Sequence, residues 1–76
     1  MAIDKRLRVA KIILEILEEE GAMRWSMLEK EVTRRSPTYA YFRSTLRWLL
    51  KRGYVKRVRR GLYAITSEGR GFLEVI

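Results

Sequence analysis

The chain has 76 residues, 17 of them Lys or Arg against 9 Asp or Glu, with no Cys and no His and a formal net charge of +8. That length holds one domain, spanning 1–76, and excludes a second core. The missing Cys and His exclude disulfide staples and thiolate or imidazole metal sites, and they remove the usual nucleophiles and proton carriers, so no enzyme and no cofactor is expected.

The first predicted element is a helix over 4–20, with Asp4 as its cap and Gly21 as its stop. Val9, Ala10, Ile13, Ile16 and Leu17 share one face, and Leu7, Ile12 and Leu14 widen it beyond the stripe that one small core needs. The excess predicts a second contact surface. The basic start and the Glu18-Glu19-Glu20 end run against the helix dipole. Met23-Arg24-Trp25 has the makings of a short strand. Ser26-Met27-Leu28-Glu29 then has the form of a capping box opening a second helix, with Leu28 and Val32 inward and an end near Arg35.

Ser36-Pro37 predicts a third helix, with Ser36 as cap and Pro37 as first residue, running to about Arg52 and stopped by Gly53. Phe42, Leu46, Leu49 and Leu50 form its apolar face. Arg43, Arg47 and Lys51, at i, i+4 and i+8, form a row opposite, with Ala40 and Ser44 beside them. Two strands follow at about 54–58 and 62–66, joined by Arg59-Arg60-Gly61, with Val55, Tyr63 and Ile65 inward. Val58 is out of phase with Val55, which predicts a bulge. Thr66 or Ser67 caps a short last helix, interrupted by Gly69 and Gly71 and ending in Phe72-Leu73-Glu74-Val75-Ile76.

Three helices and a two-stranded hairpin in this order form an α+β layout, and the residues at its joins carry a resemblance. Leu46-Arg47-Trp48-Leu49-Leu50-Lys51-Arg52-Gly53-Tyr54-Val55 is similar to the join of recognition helix to first wing strand in winged helix-turn-helix domains. Gly61-Leu62-Tyr63-Ala64-Ile65-Thr66-Ser67-Glu68-Gly69 is similar to the second wing strand and the Thr-x-x-Gly of many small prokaryotic regulators of that family. The resemblance covers about residues 7–73 and differs in its very short wing and in lacking an effector domain. It implies a helix three that enters a DNA major groove and a hairpin that reaches the flanking backbone or minor groove. Thr38, Tyr39, Ala40 and Ser44 would then lie nearest the base edges, with Arg43 and Arg47 placed for guanine and Lys51 further along. The wing cations would be Lys56, Arg57, Arg59 and Arg60. Arg34, Arg35 and Ser36, at the turn, would either touch phosphate or simply cap helix two.

Charge distribution supports a polyanionic partner on independent grounds. Residues 32–67 hold ten bases and no acid, whereas residues 1–31 carry seven acids against six bases. Solvated helix faces and edge-strand protection account for single cations, not for a one-sided run of this length. The absence of Asn and Gln, with 34% charged residues, is a thermophile's bias. Together these predict a cytoplasmic, sequence-specific double-stranded DNA-binding regulator from a thermophilic archaeon or one of its viruses, with no small-molecule ligand and no membrane segment. A homodimer is expected through Leu7, Ile12, Leu14, Phe72, Val75 and Ile76, since so small a core gains most by sharing apolar surface. The rivals are a non-specific architectural DNA binder, a protein-interaction module using Trp48 and the helix-one face, and an RNA binder.

Overall fold

The computed structural model describes residues 2–36 and 41–76, with side chains described from Lys5 onward. It is a small α+β fold in which four helices pack around a three-stranded antiparallel sheet. In chain order these are α1 (Ala2–Glu20), β1 (Met23–Arg24), α2 (Trp25–Arg35), α3 (Phe42–Arg52), β2 (Val55–Arg59), β3 (Leu62–Ile65) and α4 (Ser67–Val75).

Helix α1 lies at the centre, in contact with α2, α3, α4 and β3. Val9, Ala10, Ile13, Leu14, Ile16 and Leu17 are all at most 1% exposed. Surrounded on this many sides, α1 uses most of its wide apolar face for the chain's own core. Leu14, expected at a dimer interface, is fully buried and offers a partner nothing. Ile12, Phe72 and Ile76 are partly buried against the same core, which leaves Leu7 at 37% and Val75 at 79% exposure.

Helix α2 begins at Trp25, one residue before the expected capping serine, and its N-cap Arg24 makes no side-chain cap bond. The reason is long-range. The Trp25 N–H donates to the Gly61 carbonyl at 2.9 Å, so β1 runs directly into the helix and Ser26 falls inside the first turn. Ser36 closes α2, its N–H donating to the Val32 carbonyl at 2.8 Å, and the turn it was expected to cap, from Pro37, lies outside the described residues. Helix α3 is described from Phe42, with Tyr41 at its N-cap, and Pro37 with Thr38, Tyr39 and Ala40 lies outside the described residues. Phe42, Thr45, Leu46 and Leu49 are buried, while Leu50, expected among them, is half-buried.

The sheet has three strands in the order β1-β3-β2: the short strand expected at Met23 and Arg24 forms and joins the two-stranded hairpin by pairing with Tyr63 and Leu62. Between β2 and β3 the register runs Val55 to Ile65, Lys56 to Ala64 and Arg57 to Tyr63, then skips Val58 so that Arg59 faces Leu62. That is the bulge expected from the phase of Val58, which is 48% exposed. The connecting loop shortens to Arg60-Gly61, and Gly61 has φ 76°, a conformation that side chains with a Cβ resist.

Helix α4 runs without a break through Gly69 and Gly71, contrary to expectation. Thr66 organises its start. The Thr66 hydroxyl accepts the Gly69 N–H at 3.0 Å and donates to the Gly53 carbonyl at 2.6 Å, tying the end of α3 to the start of α4. A Cβ on Gly69 would overlap the Tyr54 carbonyl oxygen, so this glycine allows close approach and does not break the helix. Tyr54 and Phe72 stack at 4.3 Å and 3°, with Trp48 tilted against both at 6.0 and 5.8 Å.

Candidate nucleic-acid interface

The α3 periodicity that buries Phe42, Leu46 and Leu49 turns Arg43, Ser44, Arg47 and Lys51 outward, and all four are exposed. On β2, alternation puts Arg57 on the same sheet face as Val55, toward α3, and the bulge at Val58 re-aims the strand as it reaches Arg59 and Arg60. Helix and hairpin therefore converge on one open groove of about 450 Å³, with Arg43 and Arg47 on one wall, Arg57 on the other and Trp25 and Tyr63 between them. A second groove, of about 430 Å³, continues past Trp25 to Arg24 and to Arg59 and Arg60 at the hairpin tip.

Aromatic rings hold two of these guanidiniums. Arg43 lies 5.2 Å from the Trp25 ring centroid, and Arg57 lies 5.8 Å over Tyr63. Trp25 is itself braced edge-on by Phe42, at 5.9 Å and 64°. Restricting these rotamers before any ligand arrives lowers the entropy cost of binding. Among the described residues no acid lies within ion-pair distance of Arg43, Arg47, Lys51, Lys56, Arg57, Arg59 or Arg60. Like charges gathered around one groove repel, and a polyanion would relieve that repulsion.

The turn cations differ. Arg34 pairs with Glu31 at 2.8 Å, and Arg35 reaches Glu19 at 3.5 Å and Glu31 at 3.9 Å. The hydrogen bond from Arg34 holds the Glu31 carboxyl below its usual value and, reciprocally, raises the Arg34 guanidinium. Ser36 is buried at 7% exposure. This turn is neutralised by acids of the chain, whereas among the described residues the α3–hairpin groove is not.

Sequence reasoning gave Trp25 no part in a site and did not single out Arg24. Trp25 is half-buried and borders both grooves. The signal that would have found it is the pairing of β1 with β3, which carries Trp25 beside the hairpin. Trp48 is half-buried by Tyr54 and Phe72, with Arg52 at 5.4 Å over its ring, so it is not the free surface that a protein-interaction module would use. Thr38, Tyr39 and Ala40 lie outside the described residues.

Compared with protein-family models, curated proteins and solved structures, the chain finds no match. Among the described residues no helix is long and apolar enough to cross a membrane.

Proposed function

We propose that the chain is a winged helix-turn-helix protein that binds double-stranded DNA sequence-specifically as a small transcriptional regulator. The observation that carries this reading is the convergence of Arg43, Arg47 and Arg57 on one groove, with no acid of the described chain to neutralise them. In this reading α3 enters the major groove. Its 11 residues make a rod of about 16 Å, and the groove, about 12 Å wide, admits a helix. Arg43 and Arg47 face base edges, where a guanidinium can donate twice to guanine. Arg57 holds the near backbone, and Arg59 and Arg60, at the tip of a protruding hairpin, reach the flanking phosphates or minor groove. Binding there blocks or recruits polymerase.

RNA fits this surface less well. An A-form major groove is too deep and narrow for a helix, and single-strand binders present open aromatic platforms, whereas the two rings that line the groove, Trp25 and Tyr63, each lie under an arginine. The test is fluorescence anisotropy on two labelled duplexes, one taken from upstream of the chain's own gene and one scrambled at equal composition. A preference of about 10³ or more for the first is expected of an autoregulated operator binder. Equal, salt-steep binding to both would overturn sequence specificity and leave an architectural role.

A further inference from the structure

One face of α1 carries charges that neither the core nor the basic groove explains. Arg8, Lys11, Glu15 and Glu18 are spaced by 3, 4 and 3 residues, the spacing that keeps side chains on a single helical seam. Arg8, Lys11 and Glu18 are exposed and Glu15 is half-buried, on the side of α1 turned away from Val9, Ile13 and Ile16. Two bases followed by two acids oppose the helix dipole, which favours the reverse order. Within the chain only Glu18 of these four has an ion-pair partner among the described residues, Arg70 at 2.8 Å. Lys11 and Glu15 are four residues apart yet form no ion pair, consistent with base-before-acid being the weaker orientation on a helix.

The same order is self-complementary when two helices run antiparallel. Placing Lys11 of one copy opposite Glu15 of another also places Arg8 opposite Glu18, and the two-fold axis repeats both pairs. Leu7, 37% exposed, and half-buried Ile12 flank the seam and give it a narrow apolar margin. We infer that α1 is a homodimerisation surface, with two copies paired antiparallel through Arg8, Lys11, Glu15 and Glu18. DNA is a poorer occupant, because phosphates drawn to Arg8 and Lys11 would meet Glu15 and Glu18 on the same seam. The inference does not depend on DNA binding. It also replaces the apolar interface expected from sequence, whose Leu14 is used by the core. Because solvated ion pairs carry it, the dimer is weak and salt-sensitive.

Sedimentation equilibrium of the full chain at about 50 mM and about 1 M salt tests this without DNA. Wild type is expected to self-associate at low salt and to dissociate at high salt. Lys11→Glu and Glu15→Lys should each weaken association about tenfold or more, since each turns two attractive pairs repulsive. Combining both substitutions in one chain should restore wild-type association, and mixing the two single variants should yield a heterodimer. A monomeric wild type at low salt, or single variants that associate as well as wild type, would overturn the inference. Circular dichroism checks folding. Should a single variant unfold, the doubly substituted chain decides: association at wild-type strength upholds the seam, and a monomer refutes it.

Discussion

Under the proposed reading, Arg43 and Trp25 together set how the groove meets DNA. The guanidinium sits over a ring that Phe42 fixes from behind, so its direction is prepared by packing and not only by its own rotamer preference. An exposed cation–π contact is worth about 0.5–1 kcal/mol. Trp25→Leu should accordingly weaken DNA binding about two- to fivefold with the salt slope unchanged, because the charge stays and only its orientation is lost. Trp25→Phe, which keeps a π face, should recover most of that loss. Arg43→Ala should cost more, about five- to 150-fold if it reads guanine, and should weaken discrimination at one base position. Anisotropy titrations of the three variants separate positioning from contact. Trp25→Leu with wild-type affinity would show that Arg43 needs no ring beneath it.

At the scale of elements, the contrast between α2 and α3 decides which cations are available. Glu31 neutralises the end of α2, whereas nothing comparable faces α3 or the hairpin among the described residues. Because Glu31 is held below its ordinary value of 4.5, the stabilisation it brings is fully present above that value and is lost as pH falls through the lowered one. Glu31→Gln removes that contribution. The variant should melt below wild type near neutral pH, and the gap should close as the buffer is taken to about pH 2–3. Melting curves at the two pH values check this, and a gap that persists in acid would assign the effect to packing instead of charge.

These elements also mark what was legible in the sequence. The buried faces of α1 and α3 and the bulge at Val58 could be read because periods of 3.6 and 2 are local properties of the chain. The start of α2 could not, since it depends on Gly61 accepting the Trp25 N–H from 36 positions away. The β1–β3 pairing of only two residues leaves no periodic trace, and Trp25 was missed with it. Helix α4 was misjudged because Gly69 was read as a breaker, when the Tyr54 carbonyl requires its missing Cβ. Leu14 shows a different limit: angular width reveals how much of a helix is buried, but not whether the covering surface belongs to the same chain. The pairing of Glu31 with Arg34 was within reach at i, i+3, and it was hidden by dividing the charge count between residues 31 and 32, which put the two in different segments.

For the whole molecule, one core fastened by α1 leaves Arg43, Arg47, Arg57, Arg59 and Arg60 gathered along the grooves that α3 and the hairpin form. If that surface is a DNA-binding face, each chain should neutralise about 4–6 phosphates, and counterion release then governs affinity. The decisive measurement is the affinity for a double-stranded operator-length DNA across a salt series. The account predicts a log–log slope of roughly −4 to −5 per chain. A slope near zero, or no binding at low salt, would contradict it.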